Sequence, residues 1–276
     1  MTAPMPGPRD TADFSPVAAY YDASRHLPPS AVEAAVGRLR PLGYLPPGCH
    51  ALDVGCGTGQ LSLPLADLGV WVTGADVSGA MLAVARRKRA PGVAFAPVVA
   101  DARALPFPPG SFDCVVVSKL FQHVRDWELV VREMVRVTSA SGYVVRIDEA
   151  GAFRNGVRRY FEAMADAEGH QERYLGTHDR QRVAEVFRSL GCERRTVDCS
   201  DVAWRLEVRH GDALADFERG LFAEFWAVPR DAYERMLDQA RRWVAEQPGG
   251  ADRIEVLHAH LRVEVHQKQA IERSGR

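Results

Sequence analysis

The stretch Ala51-Leu52-Asp53-Val54-Gly55-Cys56-Gly57-Thr58-Gly59-Gln60 decides the fold of this chain. The segment 50–54 is short and mostly apolar, which predicts a strand buried on both faces. Three alternating glycines follow, and their freedom allows a sharp turn against which a ligand can lie. A helix is then predicted from about residue 60 to 68, ending near Gly69. Its first N–H groups would offer a place for a carboxylate or a phosphate.

The spacing of the glycines separates two kinds of cofactor. A dinucleotide fingerprint is G-x-G-x-x-G, with its last glycine where the helix packs on the strand. Here the third glycine, Gly59, comes one residue early, and Gln60 holds the fingerprint position. An ordinary glycine turn without a ligand is the simpler interpretation of a three-glycine match, so the context of the motif has to decide.

Composition and charge limit the function classes. The chain has 276 residues, of which 46% are hydrophobic, enough for one large α/β domain with or without an insertion. Its net charge of −1 is not the basic excess typical of nucleic-acid-binding domains. No apolar run is long enough for a membrane helix, and residues 1–13 do not resemble a signal peptide. We therefore expect a soluble cytoplasmic protein without a membrane partner.

The cysteine pattern supports the same expectation. The five cysteines are scattered and contain no C-x-x-C pair: Cys49, Cys56, Cys114, Cys192 and Cys199. This pattern is typical of reduced thiols in a cytosolic protein, and it predicts neither a disulfide framework nor a metal site.

An acidic residue closes the second predicted strand, which spans residues 70–75 and is followed by Asp76. In nucleotide-binding α/β folds an acidic residue at this place binds the ribose hydroxyls. Asp76 therefore predicts a nucleoside ligand without choosing between a methyl donor and a nicotinamide. Ser78 is predicted to cap a helix over residues 79–89. Met81 on that helix either packs on an adenine ring or belongs to the core.

The D-x-G-x-G-x-G pattern of residues 53–59 resembles the first motif of the class I S-adenosylmethionine-dependent methyltransferases. Residues 100–107 and the run Pro-Phe-Pro-Pro-Gly-Ser-Phe-Asp at 106–113 resemble later segments of the same family, in the same order. The resemblance is strong over 50–125 and covers about 15–200 in pattern. It implies an α/β fold with a Rossmann-like, doubly wound, mostly parallel sheet of seven strands, whose last strand is antiparallel, and a helical lid insertion.

The resemblance also implies S-adenosyl-L-methionine as cofactor and names the residues that hold it. Gly55 and Gly57 would border its methionine part, and Asp53 would orient the loop and the cofactor ammonium, directly or through water. Asp101 and Ala102 would contact the adenine amino group. The implied cofactor-binding set is Tyr20, Arg25, Asp53, Gly55, Cys56, Gly57, Asp76, Val77, Met81, Asp101, Ala102 and Ser118.

The segment before the core has two interpretations. Many members of the family carry a Tyr-Asp-x-x-Arg-like segment that approaches the methionine end of the cofactor, and Tyr20, Tyr21 and Arg25 match it loosely. The segment is therefore either a flap over the cofactor or a surface helix. Ser30 is predicted to cap the next helix, which runs over residues 31–39.

His123 is the candidate catalytic residue. It follows the fourth predicted strand, at the edge where open α/β sheets bind ligands. It is either a general base or donor to substrate, or a helix-start histidine satisfied by backbone. The Pro-Pro-containing segment of adenine- and cytosine-N-methylating enzymes is missing here, and the chain contains no Pro-Cys pair. A nucleic-acid substrate is therefore not favoured.

The pattern weakens after residue 150. A turn over 138–142 precedes a fifth strand, after which Asp148 and Glu149 either face substrate or are solvated. The strand at 261–266 is predicted to lie antiparallel beside the fifth strand. A sixth strand is predicted over residues 193–200. Between it and this last strand, two helices are predicted to cover the substrate, and their aromatic residues either line the pocket or only pack the lid to the core: Phe217, Phe222, Phe225, Trp226, Tyr233 and Trp243. The predicted units are a tail and flap at 1–45, a cofactor-binding core at 46–200, a helical lid at 201–255 and a final strand and tail at 256–276.

Together these patterns predict an S-adenosylmethionine-dependent methyltransferase that acts on a small-molecule acceptor by in-line transfer. Three alternatives stay open. One is an RNA or protein methyltransferase, the second a nicotinamide-dependent oxidoreductase, against which Gln60 argues, and the third a module that binds the cofactor without chemistry. The sequence does not name the acceptor, and it does not decide between a monomer and a homodimer.

Overall fold

The structure is a computed structural model, which describes residues 10–24, 27–152, 154–171 and 173–269. Its helices are α1 Pro29–Leu39, α2 Ser62–Asp67, α3 Gly79–Lys88, α4 Trp127–Val137, α5 Gly156–Ala167, α6 Arg180–Ser189, α7 His210–Glu218 and α8 Arg230–Glu246. Its strands are β1 His50–Val54, β2 Trp71–Asp76, β3 Phe95–Val99, β4 Phe112–Val117, β5 Thr138–Ala152, β6 Cys192–Val197, β7 Ala203–Arg209 and β8 Ile254–Lys268.

The strands form one sheet in the order β3-β2-β1-β4-β5-β8-β6, with β7 pairing with the first half of β8. Neighbours from β3 to β5 are parallel, whereas β8 runs antiparallel to β5 and β6. The predicted α/β fold with a mostly parallel sheet and an antiparallel last strand beside the fifth is confirmed. Because β1 and β4 are central, they are apolar over almost their whole length.

Helices cover both faces of the sheet, and β1 shows why. Its side chains alternate, so Ala51 packs into the layer beneath α1, α2 and α3, while Leu52 and Val54 pack into the layer beneath α4 and α6. Each layer is an almost continuous cluster of buried aliphatic side chains. The carboxyl ends of the parallel strands therefore meet at one edge, which the glycine loop after β1 borders.

Strand β7 is the one element of the sheet that the sequence analysis missed, and it raises the number of strands in the described part of the chain from the predicted seven to eight. Residues 203–209 alternate Trp204, Leu206 and Val208 with charged residues, which is a strand pattern. Because helices follow this stretch directly, it was predicted as part of the helical lid over residues 201–255. Strands β6 and β7 together pair with nearly the whole length of β8. The chain leaves the sheet after β7 and enters the helical insertion.

The helical insertion has a core of its own. Residues of α5, α7 and α8 bury an aromatic cluster in which Phe161 stacks on Phe217 at 4.2 Å between ring centroids. Phe225 and Tyr233 complete it. Most of these aromatic residues thus pack within the insertion itself, which differs from the predicted packing of the lid onto the core. Trp226 instead lies 4.9 Å from Phe14 between ring centroids. Helix α5, predicted as part of the core, belongs to this cluster.

Two local predictions are wrong. Helix α1 begins at Pro29 and has no side-chain cap, so Ser30 is not its N-cap. The reason is that Pro29 fits the first turn, where its missing N–H costs nothing. Residues 138–142 belong to β5 with a shift in register between Phe112 and Cys114, instead of forming a separate turn.

No helix in the described ranges combines the length and apolar character needed to cross a bilayer. Within the same ranges, no three His, Cys, Asp or Glu side chains are grouped so that they would hold a metal ion. All five cysteines are buried and free.

Candidate active site

The loop after β1 lies close to its neighbours because glycines occupy its strained positions. Gly55 and Gly57 have φ of 73° and 53°, in the left-handed region that side chains disfavour. A Cβ at Gly55 would lie 2.8 Å from the Leu120 side chain, and one at Gly57 would lie 3.2 Å from Cε of Met81. The loop therefore presents bare backbone to the edge of the sheet, as a ligand that lies against it requires.

Asp76 ties the second strand to this loop. One carboxylate oxygen accepts a hydrogen bond of 2.8 Å from the Gly57 N–H, and the other accepts one of 2.8 Å from the Ser78 N–H. Burial raises the pKa of Asp76, although both N–H groups favour its charged form. Ser78 in turn caps α3 by accepting from the Met81 N–H, as predicted. The acidic side chain thus stands at the carboxyl end of β2, where a ribose would be bound.

Asp53 lies beneath the loop and is almost fully buried. Its Oδ2 accepts a hydrogen bond of 2.5 Å from the Ser62 hydroxyl at the start of α2. Burial raises the pKa of Asp53 to about 7, and the nearby Asp76 adds to the shift. The residue lines the cleft beside the loop. A cation placed there would favour the charged carboxylate.

The segment before α1 covers the loop. Asp22 accepts hydrogen bonds from the Thr58 hydroxyl at 2.5 Å and from the Gln60 amide at 2.9 Å, and it pairs with Lys88 at 2.7 Å. Burial opposes ionisation of Asp22, but these donors outweigh it and lower its pKa. Tyr21, the neighbouring residue, lines the cleft. The segment is therefore placed as a flap would be.

The cleft under this segment has a volume of about 60 Å³. Sites for ligands of cofactor size measure roughly 300–1,000 Å³. The cleft, which Tyr21 and Leu27 border, is therefore smaller than a nucleoside cofactor in this structure.

The charges around the loop fit a cationic ligand. Asp22 and Glu149 are paired with Lys88 and Lys119, whereas Asp53 and Asp76 face the loop without a cationic partner among the described residues. A pyrophosphate would be repelled at this place, whereas the ammonium and the sulfonium of S-adenosylmethionine would be attracted. Bare loop backbone, an acid at the end of β2 and a buried acid beside the cleft thus fit that cofactor.

A second, larger cavity of about 370 Å³ opens beyond the carboxyl ends of β4 and β5. Side chains from the core form one wall, and α5 with the short helical turn Ala223–Phe225 contributes to the other. His123 lines this cavity, and its ring lies edge-on against Phe14 at 5.1 Å between centroids. The predicted catalytic histidine is therefore placed at the candidate acceptor site and away from the cofactor loop.

Three residues line both the cleft and the cavity: Tyr21, Lys119 and Glu149. Lys119 has φ of 49°, which is rare for a residue with a side chain and typical of functional positions. Its N–H donates to Asp148 at 3.2 Å, and its ammonium pairs with Glu149 at 2.5 Å. These residues mark the place where the two spaces meet.

The predicted cofactor residues divide into two groups. Cys56 and Ser118 line the cleft together with Asp53, Gly55 and Gly57. Met81 is buried against the loop, next to Gly57. These residues thus lie at or beside the cleft, and their contact with a cofactor stays a prediction.

The other predicted residues are not among those that line the cleft. Tyr20 is 51% exposed, and its ring lies under the guanidinium of Arg219. Tyr21 lines the cleft in place of Tyr20. Asp101 pairs with Arg103 at 2.8 Å, and Ala102 packs against the core. Three members of the set remain: Asp76 holds the loop through the Gly57 N–H without lining the cleft, Val77 is 43% exposed beside it, and Arg25 lies outside the described residues.

Sequence reasoning missed most of the acceptor cavity. Lys119 was not singled out, nor were Arg146, Arg154, Arg158 and Arg180. They come from β5, the turn after it, α5 and the start of α6, and no motif joins them. The available signal was the pair Asp148 and Glu149 at the end of a buried strand, where ligands bind in open sheets.

Comparison with known proteins supports the same family. Residues 52–146 match the model of a methyltransferase domain. The chain is 41% identical over 118 residues to a demethylmenaquinone methyltransferase of Thermus thermophilus, a match that covers 40% of this chain and 54% of that protein. It is 33% identical over 170 residues to a demethylmenaquinone methyltransferase of Mycolicibacterium gilvum, covering 58% of this chain and 72% of that protein.

The match thus spans about half the length of the first relative and nearly three quarters of the second. The crystal structure of the YcgJ protein from Bacillus subtilis resembles this fold with a TM-score of 0.54 at 18% identity, and the match covers 86% of this chain and 99% of that one. At this identity the likeness concerns the fold alone. The glycine loop, the acid at the end of β2 and the similarity to the Mycolicibacterium protein together show that this chain belongs to the class I S-adenosylmethionine-dependent methyltransferases.

Proposed function

We propose that this protein transfers the methyl group of S-adenosylmethionine to a small-molecule acceptor held in the 370 Å³ cavity. The observation that carries the proposal is the junction formed by Tyr21, Lys119 and Glu149, which line both the cofactor cleft and the cavity. A donor beside the glycine loop and an acceptor in the cavity would meet at these three residues. This geometry suits a direct transfer between two bound molecules.

The residues of this chain supply mainly alignment. When bound, S-adenosylmethionine supplies an electrophilic methyl group on a sulfonium, whose positive charge is lost as the new bond forms. The protein therefore need not stabilise a new anion, and its task is to hold the two partners in line and exclude water. Such alignment is worth up to about 7–11 kcal/mol of the barrier. The loop backbone and Asp76 would fix the donor, and the cavity walls would fix the acceptor.

Two side chains are placed to take a proton if the acceptor must lose one. Glu149 stands at the junction, paired with Lys119, and His123 stands in the cavity wall. The pair at the junction lies between donor and acceptor, whereas His123 can reach only the acceptor. We propose both as catalytic candidates, with His123 acting on the acceptor side. His123→Ala should then slow turnover of an identified acceptor while leaving binding of S-adenosylhomocysteine unchanged.

The names of the two relatives specify a quinone acceptor for those proteins. For this chain the matched region lies mostly in the cofactor-binding half, whereas the acceptor cavity draws on α5, α6 and the helical insertion. We therefore propose a small-molecule acceptor without carrying the quinone over.

A labelling experiment tests the proposal. The purified protein is incubated with S-adenosylmethionine carrying a ¹³C methyl group and with the small-molecule fraction of a cell extract, and products are followed by mass spectrometry. We expect a small molecule to gain the labelled methyl group in the presence of the protein and not with Gly57→Val. The RNA and protein fractions of the same extract are incubated in parallel, and label found in one of these instead would support an RNA or protein methyltransferase. Binding of S-adenosylhomocysteine without any transfer would support the non-catalytic one.

A further inference from the structure

The walls of the acceptor cavity are unusually cationic. Six basic side chains line it against three carboxylates, Asp148, Glu149 and Glu224. The basic side chains are Lys119, Arg146, Arg154, Arg158, Arg180 and Arg262. Neighbouring carboxylates neutralise part of this positive charge. The contacts of each guanidinium group show which of them can still bind a ligand.

The core wall holds more guanidinium groups than carboxylates to pair with them. Arg146 donates to Oδ2 of Asp148 at 2.6 Å, and Arg180 donates to the same oxygen. Arg180 also lies 3.1 Å from Glu264, which is shared with Arg194 at 2.5 Å. Three guanidinium groups thus share two carboxylates, leaving one positive charge in excess. Arg194 is 32% exposed and does not line the cavity, so within the cavity the unmet bonding capacity lies on Arg146 and Arg180.

The shortage of hydrogen-bond acceptors affects Arg146 in particular. Its side chain is 7% exposed, and Nη1 is buried without a hydrogen-bond partner in the described part of the chain. A buried donor left without a partner costs about 1–3 kcal/mol, more when it is charged. His266 adds no positive charge to this cluster, because burial lowers the pKa of His266 to about 4 and keeps the ring neutral. Arg146 lines the cavity, where an anion would accept the hydrogen bond that its Nη1 lacks.

The opposite wall adds cations from α5 and the residues before it, while Arg262 of β8, in register with Asp148, adds one to the core wall. Arg158 is held by Glu162 at 3.2 Å and by Glu224. Arg154 is half exposed and lies 3.5 Å from the same Glu162, so its guanidinium is only weakly paired. Arg262 has no ion pair among the described residues. Arginines on both walls thus converge on one cavity.

We propose that the methyl acceptor carries an oxyanion, a carboxylate or a phosphate, which the arginines of this cavity bind while its reacting atom faces Lys119 and Glu149. Guanidinium groups pair with oxyanions through two parallel hydrogen bonds, which fixes orientation as well as position. Such a grip on one end of the acceptor would place the other end at the junction. The inference rests on the proposed function, because it assumes that the cavity is the acceptor site.

Small probes test the charge preference directly. Binding of benzoate, inorganic phosphate and benzamide to the full chain is measured by ligand-observed NMR, with S-adenosylhomocysteine saturating the cofactor site. Benzamide has the size and shape of benzoate without its charge. We expect benzoate or phosphate to bind at least about tenfold more tightly than benzamide, and which of the two binds more tightly identifies the anion. Equal affinities for benzoate, phosphate and benzamide would overturn the inference.

Variants assign the preference to the cavity. The double variant Arg154→Gln with Arg262→Gln changes side chains that are exposed, so it should fold, and it should lose most of the anion preference. Arg146→Met should lose it as well. Arg205→Gln is the matched control, since Arg205 is an exposed arginine of β7 that pairs with Glu207 and does not line the cavity. Anion binding that is unchanged in the double variant would contradict the inference.

The same samples separate this inference from the proposed function. S-adenosylhomocysteine binding is measured by calorimetry in each. If the cofactor product binds and no anion preference appears, only the oxyanion inference fails. If the cofactor product does not bind even to the unaltered chain, the proposed function itself fails.

Discussion

The cofactor cleft and the acceptor cavity are built in different ways although they share three residues. The cleft is made by backbone: glycines with positive φ, two N–H groups held by Asp76, and a buried acid, all within residues 53–78. The cavity is made by long charged side chains from β4 to β8 and the helical insertion. A local motif therefore specifies the donor, and tertiary structure specifies the acceptor. The predictions below test this division.

The largest effect is expected from Gly57→Val. A β-branched residue disfavours φ of 53°, and its Cβ would lie 3.2 Å from Met81 and on the face offered to the cofactor. We expect calorimetry to show no measurable binding of S-adenosylmethionine. Gly92→Val is the control, because Gly92 has φ of 83° in a turn with open space around it. If the two variants lost affinity equally, general strain and not the loop would be responsible.

A smaller loss is expected from Asp76→Ala. The substitution removes the acceptor of two backbone N–H groups and the proposed partner of the ribose. We expect affinity for S-adenosylhomocysteine to fall by about 1–3 kcal/mol in calorimetry. Asp113→Ala is matched to it, since Asp113 also accepts from a backbone N–H, that of His50 at 3.0 Å, but at the other end of β1. Unchanged affinity in Asp76→Ala would place the ribose elsewhere.

The pH dependence of binding should follow Asp53. Its pKa is about 7, and the cofactor ammonium favours the charged carboxylate, so a proton must leave on binding below pH 7. Affinity for S-adenosylhomocysteine should therefore fall as pH decreases below about 7, by up to about tenfold per pH unit. The dependence should be absent in Asp53→Asn. It should also be absent for methylthioadenosine, which has no ammonium. A flat profile for S-adenosylhomocysteine would separate Asp53 from the ammonium.

Asp53 also predicts a change in stability. The folded pKa is raised above the ordinary 3.8, so the folded state holds a proton that the unfolded state releases. The resulting stability is present below pH 3.8 and is lost as pH rises through about 7. In thermal unfolding, the Tm of Asp53→Asn should therefore rise relative to the Tm of the unaltered chain as pH increases from 5 to 8. A difference that stays constant with pH would contradict the raised pKa.

The smallest effect distinguishes two adjacent tyrosines. Tyr21 lines the cleft and the cavity, whereas Tyr20 is exposed against Arg219. We expect Tyr21→Ala to weaken cofactor binding several-fold through lost packing, about 1 kcal/mol, and Tyr20→Ala to leave it unchanged. Calorimetry of both variants makes the comparison. A loss confined to Tyr20→Ala would restore the assignment made from sequence.

The sequence predicted what depends on local chemistry. The strand His50–Val54, the cap at Ser78 and the acid at the end of β2 all depend on residues next to one another. It failed where distant segments meet. Arg146 shares the nearby Asp148 with Arg180, which lies 32 positions further along the chain. Strand β7 forms because β8 pairs with it. Tyr20 was preferred to Tyr21 because helical spacing could not show which one turns inward. The cytoplasmic location stays a prediction.

The most direct test of the central claim is calorimetry of the unaltered full chain with two ligands, S-adenosylhomocysteine and NAD. The acidic, phosphate-repelling cleft predicts that S-adenosylhomocysteine binds at one site per chain and that NAD does not bind. Binding of NAD without binding of S-adenosylhomocysteine would contradict the account.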